Sequence, residues 1–444
     1  MAIPKAGREP LAELGAFLEP FGKLVRRAEP RESLERYTTG LLSDLSRKTA
    51  SDMGRALPGT NNQRLQEFLT NSPWDFRAMN RIRIEHMLKH ASTEGGVLVV
   101  DDTGLPKKGR HSVGVGRQYS GTLGRVDNCQ VVVTTHYVDG VFDWPLGARL
   151  YLPKAWAADA KRRKRARVPE DLVFRTKGEI ALGLIDEARE AGLERSPVVA
   201  DAGYGDQPSF LDGLEARELP YLVALAGTVR LRLAAEVDED PGDGPPPPPT
   251  GGRPRKAPTL ADRVQPRECA EILAALPDHA WVKVAWREGT KGALVKEVAR
   301  VRVYRTAGRG RHLPTVGWLI GERPLEGHRG DHKQYFAWGL DELDLKDLIE
   351  LAHVRWVIER FYQDAKGELG MDDYEGRLWT GLHRHLALVM LAHSFLTLLQ
   401  SCGPQVRERP PGTQGNNNEP APPLARGFPA GGSKKHRRSS PNRP

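Results

Sequence analysis

Cysteine is scarce in this chain. Cys129, Cys269 and Cys402 lie far apart among 444 residues and form no C-x-x-C pair, so neither a zinc framework nor a disulfide framework organises the fold. Long apolar runs are also missing, and without a stretch of about 18 such residues no membrane-spanning helix is expected. The N-terminus lacks the basic-then-apolar pattern of a secretory signal. Gly114, Gly116 and Gly121 fit neither a Walker loop nor a dinucleotide fingerprint, so no nucleotide cofactor is implied. These absences point to a soluble protein of a reducing, cytoplasmic compartment with no membrane partner.

What is present is positive charge. The formal net charge is +9, which attracts polyanions, nucleic acid above all. The basic residues cluster at Lys161–Arg167 and again at Lys434, Lys435, Arg437 and Arg438. Either cluster would also suit a solvated, flexible segment.

Residues 1–92 read as helical, with apolar side chains at three- and four-residue spacing such as Leu11, Leu14, Phe17 and Leu18. Ser72 and Pro73 suit a helix start. The pattern then turns to strands over 96–100, 130–138 and 142–152, with a turn at Asp139-Gly140. Residues 178–192 read as helix, 198–200 as strand, 208–219 as helix and 221–225 as strand. Strands followed by alternating strand and helix predict a mixed sheet flanked by helices, hence an α/β fold. The segment 241–258, with five consecutive prolines, reads as a loop. Strand signals return at 281–286, 294–304, 315–320 and 334–338. One helix is expected from Asp344, as N-cap, to about Lys366, and another over 378–400. From Gly403 onward the composition reads as disordered.

Three carboxylates stand out. Asp102, with Asp101 before it, and Asp201 end apolar strands, and Glu359 sits within a long helix. Taken singly, a strand-end aspartate is often a turn residue and a helical glutamate a surface ion pair. Together, acids from strand ends and a covering helix can share a cleft, where they repel unless a cation lies between them. Hard oxygen donors favour Mg²⁺ or Mn²⁺, and two such ions can drive an in-line phosphoryl displacement. Arg355 and Lys366 fall on the Glu359 face of the helix, where cations suit non-bridging phosphate oxygens.

In this pattern the chain resembles the bacterial insertion-sequence DDE transposases with a Y-x2-R-x3-E-x6-K glutamate helix. Arg355, Glu359 and Lys366 match three of its letters, while the tyrosine position holds Ala352. VVDDTGLPKKG (99–109) resembles the first-aspartate strand and selects Asp102. VVADAGYGD (198–206) resembles the second and selects Asp201. The resemblance implies an RNase H-like catalytic core (93–226 and 341–402), interrupted by a β-rich insertion domain (227–340). A helical DNA-end-binding domain (1–92) precedes it and a basic tail (403–444) follows.

The resemblance also implies two divalent ions held by Asp102, Asp201 and Glu359, with Arg355 and Lys366 on DNA phosphates and Lys107 and Lys108 as further phosphate candidates. The partners implied are double-stranded DNA, as terminal inverted repeats and target, and a second copy in a homodimer on that DNA. The activity implied is cut-and-paste transposition through a hairpin at the DNA end. In relatives the insertion helps hold a flipped base, for which Trp281, Trp286, Trp318 and Trp338 are aromatic candidates. Two alternatives stand beside it, a catalytically decayed or domesticated DNA-binding protein and an RNase H-like nuclease.

Overall fold

The computed structural model describes residues 12–93, 95–120, 124–140, 142–238, 264–289, 292–307 and 311–402. The proline-rich segment and the basic tail lie outside these residues. The N-terminal part is helical as its periodicity predicts, with helices Ala12–Leu18, Ala28–Leu42, Ala50–Ala56, Asn62–Thr70 and Phe76–Met87. The helix start expected at Ser72 moves to Asp75, whose side chain accepts from the Arg77 N–H at 2.6 Å. Ser72 and Pro73 lie in the preceding turn, where Trp74 is buried and donates its Nε1 to the Phe68 carbonyl at 2.9 Å. Burying that indole decides where the next helix begins.

The first strands are β1 (Val97–Pro106), β2 (Gly116–Ser120), β3 (Arg125–Val138), β4 (Asp143–Tyr151), β5 (Val198–Ala200) and β6 (Tyr221–Leu225). Strand β3 is long enough to pair β2 along one part of its outer edge and β4 along the other. On its inner edge it pairs β1 antiparallel, and β1, β5 and β6 then run parallel. The order β4-β3-β1-β5-β6 is that of an RNase H-like core. Its centre consists of Val97, Leu98, Val99 and Val100 beside Val198 and Val199, all fully or almost fully buried. Such unbroken apolar runs are what strands covered on both faces require.

The β-rich segment supplies β7 (Arg230–Leu233), β8 (Arg267–Glu268), β9 (Val282–Gly289), β10 (Gly292–Ala307), β11 (Arg311–Arg323) and β12 (Lys333–Trp338). These strands do not form a separate sheet. Strand β12 pairs β6 antiparallel, so the hydrogen-bond ladder crosses the boundary drawn at residue 227 and twelve strands share one sheet.

The single helix expected from Asp344 to Lys366 is two helices, Leu345–His353 and Trp356–Gly367, broken at Val354-Arg355. Its start is as read, with Asp344 accepting from the Asp347 N–H at 2.8 Å. Within the last helix, Trp379–Cys402, the stretch Trp379–Gln400 is long and apolar enough by composition to cross a membrane, but 83% of its apolar window is buried within the protein. It serves as a core helix against β4 and the N-terminal helices.

Candidate active site

Side chains alternate along a strand, so the adjacent Asp101 and Asp102 face opposite sides of β1. Asp101 and Thr103 face the helix Trp356–Gly367. Arg355, which precedes that helix, donates Nη1 to Asp101 at 3.0 Å and Nη2 to Glu359 at 2.6 Å. Lys366, further along it, donates to the Thr103 hydroxyl at 2.6 Å and the Gly104 carbonyl at 3.1 Å. Asp102 turns to the other face. There Lys177, at the start of the helix Lys177–Glu190, reaches both of its oxygens at 2.9 Å, and the Tyr204 hydroxyl lies 3.4 Å away.

Asp201 follows β5, the parallel neighbour of β1, and caps the short helix Ala202–Gly205 by accepting from the Tyr204 N–H at 3.3 Å. The glycines of the DAGYGD stretch have a steric reason. A Cβ on Gly205 would stand 2.0 Å from the Ala224 carbonyl oxygen, so only glycine lets this helix pack on β6.

The electrostatics tie these groups together. Burial, and then the Asp201 charge, push the Asp101 carboxyl up to about 7, while Arg355 pulls it down. Burial also raises Asp201, against the pull of Arg355 and with the push of Asp102. Burial works against the Arg355 charge, yet Asp101, Glu359 and Asp201 hold its pKa above the ordinary value. Burial lowers Lys366, with Asp372 and Asp101 opposing. Glu359 is the open end of the cluster, its side chain 58% exposed. A cavity of ≈ 300 Å³ opens beside Arg355 and Glu359, walled by Ala200, Lys333, Tyr335 and Trp356.

The structure joins Asp101 and Glu359 through Arg355, which also feels the Asp201 charge. Asp102 points to the reverse of β1, to Lys177, and Asp201 feels its charge from the neighbouring strand end. The sequence reading passed over Asp101, Lys177 and Tyr204. Strand alternation alone would have separated the two aspartates, but not said which helix lies over which face.

Lys107 needs a correction. Its ammonium is not free for DNA, because it donates to the Asp372 and Tyr374 carbonyls, each at 2.8 Å, and stitches β1 to the 370–377 loop. Lys108 is exposed. Tyr362 does not replace the missing signature tyrosine, since it is buried with its hydroxyl 2.6 Å from that of Thr134.

The four tryptophans of the β-rich segment are all partly buried against the core. Trp286 stacks on His353 at 4.0 Å, Trp338 on Tyr221 at 5.8 Å, and Trp318 lies between Arg300 and Arg302.

Among the described residues no three His, Cys, Asp or Glu side chains converge closely enough to form a metal cage. Asp101 and Glu359, joined through Arg355, nonetheless offer carboxylate oxygens, which suit a hard divalent ion. Asp101 is raised chiefly by burial and further by the Asp201 charge, and a bound cation would oppose both. Arg355 and Lys177 carry the counter-charge that such an ion would supply.

An RNase H-like core with acids at neighbouring strands and a glutamate on a covering helix is the frame of a family of DNA-cutting enzymes. Residues 18–293 match the family described as DDE superfamily endonuclease, and the chain belongs to it. The match includes both strand acids and stops before Glu359. The chain is also 34% identical, over 226 residues, to a protein of Microchaete diplosiphon described as a probable transposase for insertion sequence element IS701. That similarity takes in 51% of this chain and 57% of the relative, so the chain spans little more than half the relative's length.

Proposed function

We propose that this protein is a DNA transposase that cleaves the ends of an insertion sequence and joins them to target DNA. The observation that carries the reading is the Arg355 guanidinium, shared between a strand acid and the helical Glu359 at the edge of an open cleft. Asp102, Asp201 and Glu359 would hold two divalent ions; Asp101, which Arg355 ties to Glu359 on the face of β1 opposite Asp102, competes with Asp102 as the ligand from this strand. Bound there, the ions supply Lewis-acid stabilisation of the attacking and leaving oxygens. Arg355 orients the acids in the free protein and turns to a phosphate oxygen when DNA and ions enter. Lys366 keeps positive potential at the end of β1.

The reaction runs through a nick, attack of the freed 3′-hydroxyl on the opposite strand to form a hairpin, reopening, and strand transfer. Two copies cut two ends together. Residues 1–92 bind the DNA ends, and 227–340 acts as the insertion module. The protein works in the cytoplasm on the nucleoid. The test incubates the protein with the DNA flanking its own gene and Mn²⁺, beside Asp101→Asn, Asp102→Asn, Asp201→Ala and Glu359→Gln. End-specific nicks or hairpins that Asp201→Ala and Glu359→Gln abolish support the reading. The two asparagine variants show which acid of β1 is required. Binding without cleavage by any of the proteins would sink it.

One observation favours a second reading, a decayed transposase that only binds DNA. The signature tyrosine position is a buried alanine, Ala352, and Tyr362 on the next helix is buried with its hydroxyl on Thr134.

A further inference from the structure

A second basic feature lies away from the carboxylates. The loop after β1, strands β2 and β3, and the helix Ala160–Ala166 enclose an open recess of ≈ 410 Å³. Lys108, Arg110, Arg117 and Arg162 line it, and no carboxylate does. None of the four is ion-paired within 4.0 Å among the described residues. Asp127, next to the recess, is taken by Arg125 at 3.0 Å and feels Arg117 from further away.

The recess is held in shape by packing. The Arg162 guanidinium lies 3.9 Å over the Trp156 ring and donates to the Arg110 carbonyl at 3.3 Å. Trp156 is buried, and its Nε1 donates to the Val115 carbonyl at 2.7 Å. Asn128 donates to the carbonyls of Lys107 and Gly109, which pins the loop carrying Lys108 and Arg110. The basic run at Lys161–Arg167 thus divides. Arg163 turns back to the Pro169 and Glu170 carbonyls, at 2.8 and 3.1 Å, and Arg162 faces the recess. Cations fixed together repel one another until an anion lies between them, and planar guanidinium groups match phosphate oxygens.

The register of the sheet locates the recess. Val133 of β3 lies opposite Asp102, and Asn128, five positions earlier, lines the recess. At about 3.3 Å per residue the two places are about 17 Å apart along the strand. That corresponds to about five base pairs of duplex axis.

We propose that this recess clamps the phosphate backbone of duplex DNA about five nucleotides from the bond held at the acids. The inference rests on the transposase reading for its ligand. Its test uses the full chain with Glu359→Gln to prevent cutting, and a labelled duplex of the gene's own flanking sequence. Lys108→Ala, Arg110→Ala and Arg117→Ala are combined, and Arg162 is left in place because its ring contact supports the fold.

Each lost phosphate contact lowers the slope of log affinity against log salt by about 0.9, so the triple variant should lose about two to three units of slope. Its melting temperature should stay that of the parent. Neutral methylphosphonates about five nucleotides from the cleaved bond should weaken the parent and leave the triple variant unaffected. An unchanged slope, or methylphosphonates without effect on the parent, would overturn the clamp while the transposase reading stood. A folded parent that binds no duplex would overturn both.

Discussion

Two neighbouring helices each carry several ionisable residues and use them in opposite ways. On Trp356–Gly367, Glu359 stands exposed and Lys366 reaches across to β1, with Arg355 at the start of the helix sharing the same edge. On Trp379–Cys402, His383 and His385 are buried and bonded internally. His383 meets the Trp379 carbonyl at 2.9 Å and accepts from the Leu150 N–H at 3.3 Å. His385 meets the Tyr37 hydroxyl at 2.8 Å and the Gly370 carbonyl at 3.0 Å. Burial lowers His383 and His393 to about 3 and His385 to about 4, so all three are neutral in the fold. Polar groups in a helix thus serve chemistry or packing according to what covers them.

Changes on the first helix should strike activity and spare stability. Glu359→Gln should reduce end cleavage on the order of a thousand-fold or more, read on a sequencing gel, because a lost metal ligand removes several kcal/mol of transition-state stabilisation. Its melting temperature should stay near that of the parent, as for most exposed sites. A large fall in stability would break the comparison.

Behind the second helix the order reverses. Arg83 is fully buried and donates to the Pro145 and Leu146 carbonyls at 2.5 and 2.7 Å and to the Ser394 hydroxyl at 3.0 Å. Arg83→Met should cost about 2–4 kcal/mol in urea unfolding by stranding these acceptors. An unchanged urea midpoint would show that this polar core is dispensable.

The buried histidines set a pH dependence. Their folded pKa values lie below the unfolded value near 6.5, so the unfolded chain takes up protons first as pH falls. The stability from keeping them neutral is full above about 6.5 and is lost progressively toward their folded values, by up to about 1.4 kcal/mol per pH unit for each histidine. The urea midpoint should therefore drop between pH 7 and pH 5, and His383→Gln should flatten the drop. A midpoint independent of pH would place the histidines in contact with water.

The smallest effect belongs to the Arg355–Glu359 pair. One end is open to solvent, so a double-mutant cycle should give a coupling of about 0.3–0.5 kcal/mol. A much larger value would mean that Arg355 is set rigidly before any ligand arrives.

Much of this fold could be read before the structure. Strands β5 and β6 fall on the residues predicted, because short apolar runs that each follow a proline, Pro197 and Pro220, leave little choice. The Asp344 cap follows from local hydrogen bonding. Less could be read where distant segments compete. The break at Val354-Arg355 interrupts a sequence of helical period, and at it Arg355 reaches Asp101, 3.0 Å away across the fold. Lys107 looked available beside Lys108 until the 370–377 loop took its ammonium.

The sequence by itself determined the local order of strands and helices, Asp201 at the end of β5 and the spacing of Arg355, Glu359 and Lys366, since each depends on near neighbours, whereas β1 runs on past Asp102 to Pro106. Only the tertiary structure decided that Asp101 meets Arg355 while Asp102 meets Lys177, that the β-rich segment extends the core sheet, and that the histidines are core. Those outcomes depend on which elements cover each face of the sheet, and contacts between residues hundreds of positions apart decide that.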